Sequence, residues 1–99
     1  MDVEYIAAIR KHHYKGFKII ITTGLPSDYD MWLRVRDRAK LRALNEGGKI
    51  VTEVFISPLE FARHCRGSKR PDFSIASLDA CARAKALARE KNYGERELA

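Results

Sequence analysis

Apolar residues in this chain fall into short runs separated by turn-forming residues, and the spacing inside each run predicts an element. Val3, Ile6, Ala7 and Ile9 fall on one side of a helix, which predicts a helix over residues 2–14 with Gly16 as its stop. Ile19, Ile20 and Ile21 do not alternate with polar residues. That is the pattern of a strand buried on both faces, and it predicts a strand over residues 17–23. Pro26 forces Leu25 out of helical geometry. Ser27 is then a good N-cap, and Asp28 and Asp30 suit the positive end of a helix that runs to Asn45, with Gly47-Gly48 as a left-handed stop.

A second strand is predicted over residues 49–56. Ser57-Pro58 followed by Glu60 supplies a cap, a first-position proline and an acid three residues on, so a short helix starts there and ends near Arg66-Gly67. Residues 73–76 fit either a third short strand or the first turn of the last helix. The Ala-rich stretch 77–91 is helical, Asn92-Tyr93-Gly94 closes it, and residues 95–99 form a frayed tail to a single domain over residues 1–94.

The predicted order is α-β-α-β-α-(β)-α: an α/β fold with a small two- or three-stranded, mainly parallel sheet and helices on both faces, joined by a right-handed crossover. So small a sheet leaves open edges, to be covered by another segment or a second chain. Ligands of open parallel sheets lie at the carboxyl ends of the strands. Thr23, Gly24, Ser27 and Ser57 stand there in this reading, and are candidate anion-binding residues because a strand-to-helix turn presents backbone N–H groups.

Composition narrows the classes. With 99 residues, 45% apolar and 32% charged, the chain is a folding domain rather than a disordered one. No apolar run approaches the roughly 20 residues that span a bilayer, which argues against a membrane role. Met1-Asp2-Val3-Glu4 is acidic and precedes no apolar stretch, so the expected location is cytoplasmic, and Cys65 and Cys81 are expected as buried free thiols.

The net charge of +6 favours a polyanionic partner. At 3.6 residues per turn, Arg34, Arg38 and Arg42 form one row, while Trp32, Val35, Ala39 and Ala43 are expected to face the sheet. Arg36 and Lys40 lie on nearly the opposite side, flanked by Leu33 and Leu44, as on a helix that touches a second surface such as another subunit. Two further basic patches lie where helices give way to loops: Arg10-Lys11-His12-His13-Tyr14-Lys15 with Lys18, and Arg63-His64-Cys65-Arg66 with Lys69 and Arg70. Arg34, Arg38, Arg42, Arg66, Lys69 and Arg70 are the candidate phosphate contacts. Tyr14 and Phe17 lie in the first patch, where an aromatic ring stacks on unpaired bases or packs in the core.

Ser27-Asp28-Tyr29-Asp30 resembles the Ser-Asp-x-Asp metal motif of small nucleotidyltransferase domains, over about a third of the chain. The resemblance would imply Mg²⁺ held between Asp28 and Asp30 against a triphosphate. The family's upstream Gly-Ser pair is missing, and on a helix residues two apart diverge by about 200°. His12, His13, His64, Cys65 and Cys81 lack Cys-x-x-Cys or His-x-x-x-His spacing, and no Ser-His-Asp set or carboxylate pair stands out. The leading expectation is a non-enzymatic nucleic-acid-binding domain without metal or cofactor. The alternatives are a protein-interaction or homo-oligomeric module, and a small phosphate- or nucleotide-binding, enzyme-like domain at the strand ends.

Overall fold

The computed structural model describes residues 2–67 and 72–98, with residues 91–98 described by backbone alone. In chain order the elements are β1 (Val3–Ala8), a 3-10 turn at Lys11–His13, α1 (Tyr14–Ile20), α2 (Tyr29–Gly47), β2 (Ile50–Phe55), α3 (Pro58–Arg66) and α4 (Ile75–Leu98). The strands pair in parallel, from Val3 opposite Ile50 to Ala8 opposite Phe55. At the two ends of the ladder, Ile50 N donates to Asp2 O and Ile56 N to Ala8 O, both at 3.0 Å. The result is a small mixed α/β domain, the expected class, with four α-helices and a two-stranded parallel sheet among the described residues.

The order of the first elements is reversed. Residues 2–14 were expected as a helix and hold β1; residues 17–23 were expected as a strand and hold most of α1. The physical reason lies in which residues are buried. In α1 the core takes Tyr14, Phe17 and then Ile21, at i, i+3 and i+7, while Ile19 is 79% exposed. The isoleucine triplet is therefore the end of an amphipathic turn, not a two-faced strand. Gly16 sits inside α1 rather than ending it: an added Cβ there would lie 3.2 Å from Pro58 Cγ, so glycine permits the close approach of α1 to the start of α3. Val3, Tyr5 and Ile6 are strand formers, and six residues suffice for a strand.

Other boundaries also move. The N-cap of α2 is Asp28, whose carboxylate accepts from Met31 N at 2.8 Å, rather than Ser27. No third strand forms at 73–76. Instead Ser74 Oγ accepts from Ser77 N at 3.2 Å at the start of α4. Gly94 does not stop α4, which continues to Leu98; a lone glycine costs a helix about 1 kcal/mol relative to alanine and does not break it.

Helices cover both faces of the sheet. Glu53, paired with Ile6, meets Lys40 of α2 at 3.2 Å. Tyr5, one residue away and hence on the opposite face, donates to Glu90 of α4. The core forms around the fully buried Trp32, Phe17, Phe61, Ile9, Ile21, Ile56 and Leu78. Phe61 lies 5.9 Å, centroid to centroid, from Phe17 and 6.1 Å from Phe73, distances at which tilted aromatic pairs attract.

Candidate functional site

Helix α2 carries the densest charge, and the fold divides it between two uses. Its packed face is Trp32 and Arg36, with Lys40 continuing the same row toward the sheet. Arg36 Nη1 donates to Asp79 Oδ1 at 2.8 Å, and its guanidinium lies 4.2 Å over the Trp32 ring. Lys40 pairs with Glu53 and with Asp37, both at 3.2 Å, and its amine is held above the usual lysine range, chiefly by the Glu53 bond. Arg36 and Lys40 therefore face the domain's own sheet, not a second surface. The expected inward arc is corrected in the same step: Val35 is 48% exposed and Ala39 is exposed, because the helix is rotated to bring the long cations inward.

The opposite face of α2 is left to solvent. Arg34, Arg38 and Arg42 are all exposed, in one row of about 12 Å. Among the described residues Arg34 and Arg38 have no ion pair, and Arg42 reaches Glu46 only at 4.0 Å, with both side chains largely exposed. Such a contact contributes little. Met31, Val35 and Leu41 are exposed beside these arginines. Arg66 is exposed on the last turn of α3, which packs against α4, so it stands on a different element from the α2 row. Lys69 and Arg70 lie outside the described residues.

The expected anion site at the first strand end separates. Thr23, Gly24 and Ser27 are exposed in the loop from α1 to α2, and since residues 17–23 form no strand, they do not stand at a strand end. Ser27 O accepts from Lys18 Nζ at 2.9 Å, and Tyr14 OH donates to Pro26 O. Ser57 does stand at the end of β2. Its hydroxyl accepts from Glu60 N at 3.2 Å, and its own N–H donates to Glu60 Oε1 at 3.1 Å, which closes a capping box. Asp28 caps α2 and Asp30 lies in its first turn, so the two are not on a strand facing one metal as the nucleotidyltransferase resemblance implies.

At the true carboxyl ends of β1 and β2 the surface dips into a cavity of about 260 Å³. Arg10, His13, Phe55, Ser57, Lys85 and Arg89 line it, with Glu53 and Glu60. Lys85 Nζ is held between Glu60 Oε2 at 2.7 Å and Phe55 O at 2.8 Å. The Arg10 guanidinium lies 4.3 Å over the Phe55 ring. Arg10 and His13 were legible only as members of a basic patch, because the strand that ends before them read as a helix. Lys85 and Arg89 escaped notice altogether. Their signal is helical: Cys81, Lys85 and Arg89 form an i, i+4, i+8 row beside the buried row Leu78, Ala82 and Ala86.

Cys65 and Cys81 are buried free thiols. Burial first, then the charge of Asp72 on Cys65 and of Glu60 on Cys81, pushes both thiols up, which makes them poor nucleophiles near neutral pH. Among the described residues no group of three or more His, Cys, Asp or Glu is placed to hold a metal ion, and no helix is long and apolar enough to cross a membrane. Compared with known proteins, the chain matches no family, no curated protein and no solved structure.

Proposed function

We propose that the protein binds nucleic acid through the outer face of α2, with Arg34, Arg38 and Arg42 on successive phosphates. The observation that carries this reading is the division of charge on one helix. Arg36 and Lys40 are spent on Asp79 and Glu53, while the arginine row opposite them is exposed and almost without carboxylate partners. Guanidinium groups suit phosphate through paired donors, and a row of them tracks a backbone without reading bases. Arg66, Lys69 and Arg70 are proposed as outlying contacts of the same kind, and no catalytic step is assigned.

The test is fluorescence anisotropy with a mixed-sequence duplex and a matching single strand across a salt series. The three α2 contacts contribute about −2.7 to the slope of log K against log salt on duplex, each outlying cation engaged adds about −0.9, and Arg38→Gln reduces the magnitude by about 0.9. Affinity that is independent of salt, or unchanged by Arg34→Gln, Arg38→Gln and Arg42→Gln together, would overturn the reading.

A second reading, self-association, has its own observation. The outer edge of β2 pairs with no strand among the described residues, and Ile50 and Phe55 on it are 46% and 43% exposed. Leu33 and Leu44, next to Lys40 around α2, extend that apolar surface and are 41% and 53% exposed.

A further inference from the structure

The geometry points to the cavity at the carboxyl ends of β1 and β2 as a binding site for a phosphate monoester group, separate from the α2 row and independent of any role for it. Three observations converge. The cavity lies where open parallel sheets hold their ligands, just past Ala8 and Phe55. Its two carboxylates are already neutralised from within the domain, Glu53 by Lys40 at 3.2 Å and Glu60 by Lys85 at 2.7 Å. Arg10 and Arg89 therefore face it as cations with no ion pair among the described residues, and Arg10 is oriented in advance by its stacking on Phe55. Finally, His13 lines the same cavity and brings a third side chain able to donate a hydrogen bond to a ligand oxygen.

Size sets the ligand class. At about 260 Å³ the cavity is smaller than the roughly 300–1,000 Å³ typical of pockets that enclose drug-sized ligands. It accommodates a phosphate and the first atoms attached to it, with the rest of the molecule outside. The capping box already occupies the start of α3, so the anion is held by side chains and not by that helix's N–H groups. Two sources present this chemistry: a small phosphorylated metabolite, and the terminal phosphate of a nucleic-acid strand.

The test is a ¹⁵N-HSQC titration of the full chain with inorganic phosphate, a nucleoside 5′-monophosphate, and one oligonucleotide carrying either a 5′-phosphate or a 5′-hydroxyl. Saturable shifts at Arg10, Phe55 and Ser57 are expected, about tenfold weaker in Arg89→Gln and in Arg10→Gln and unchanged in Arg38→Gln. Arg89 is exposed and has no ion pair among the described residues, so Arg89→Gln keeps the test valid if loss of the Arg10 stacking disturbs the fold. Tighter binding of the 5′-phosphorylated oligonucleotide than of its 5′-hydroxyl twin, with shifts at the cavity, assigns a strand terminus. Equal or tighter binding of the monophosphate assigns a small metabolite. No saturable shift at the cavity with any phosphate probe, or shifts that persist undiminished in Arg89→Gln, overturns the site. Loss of binding only in Arg38→Gln would place the anion on α2 and overturn it equally.

Discussion

Asp79 Oδ1 accepts two hydrogen bonds that tie three elements together: from Ala7 N on the outer edge of β1 at 2.9 Å, and from Arg36 Nη1 of α2 at 2.8 Å. The carboxylate thus covers an edge N–H that has no strand to pair with, and neutralises a cation whose side chain is only 7% exposed. Arg36 Nη2, however, is buried without a partner. The two ends of the pair are therefore unequal. Asp79→Ala leaves a buried guanidinium and an edge N–H uncompensated, at an expected cost of about 3 kcal/mol, the low end for breaking a buried pair because Asp79 is 32% exposed. Arg36→Met removes the cation together with its orphan donor and keeps an apolar stem over Trp32, so it should cost less than about 1.5 kcal/mol. Urea unfolding of both variants checks the ranking. An Arg36→Met loss equal to or above that of Asp79→Ala would show that the cation–aromatic contact, not charge neutralisation, governs this junction.

At the scale of elements, α3 was legible in full and the first two elements were not, and the contrast has a physical basis. The start of α3 is specified by local chemistry alone: Ser57, Pro58 and Glu60 satisfy the first turn within four residues, and the structure has the capping box they imply. Likewise Gly48, at φ 60°, ends α2 through a conformation its neighbours need not enforce. Residues 3–8 and 14–20 carry no such signal. Their apolar spacing read as a helix and as a strand respectively, and packing makes the opposite choice: it buries Tyr14, Phe17 and Ile21 together and pairs Val3–Ala8 with a strand more than forty residues away. For the same reason the arginine row on α2 was readable from spacing, whereas the cavity at the strand ends was not, since it depends on which segment is β1. The α3 start also yields a pH prediction. Burial pushes the Glu60 carboxyl up, but the bond from Lys85, the Ser57 N–H and the Lys85 charge outweigh it and hold the group below the usual glutamate range. A lowered folded value means stability that is present above the unfolded carboxyl value, about 4.3, and lost as pH falls through the folded one. Glu60→Gln should therefore flatten the fall of Tm below about pH 4.5, and parallel Tm-against-pH curves for the two proteins would exclude this contribution.

For the molecule as a whole, a two-stranded sheet has as many edges as strands, and the domain treats the two differently. On β1 the outer edge receives Asp79 at Ala7. On β2 the only outward contact among the described hydrogen bonds is Lys85 on Phe55 O, at the strand's end, so most of that edge is available. Alternation settles which groups it offers: Ile50 N and Ile56 N point to β1, so the N–H groups of Val51, Glu53 and Phe55 point outward. Lys40 reaches β2 from one flank of α2, and Leu33 and Leu44 adjoin it there, so an apolar strip runs beside the free edge. Two copies related by a twofold axis would pair β2 with β2, extend the sheet to four strands and bury Ile50 and Leu44 from both sides. This arrangement leaves Arg34, Arg38 and Arg42 on the far face of α2, so a dimer presents two arginine rows and the part of its salt slope on duplex that is lost when all three arginines become glutamine doubles from about −2.7 to about −5.4. Sedimentation velocity across a wide concentration range is the direct measurement. Self-association weakened about tenfold by Leu44→Lys or Ile50→Lys, both at exposed positions that spare the core, is the expected result. A monomer at every concentration, together with an α2 contribution to the slope near −2.7, would mean that the open edge of β2 is protected by its own twist and charge, and that each domain binds alone.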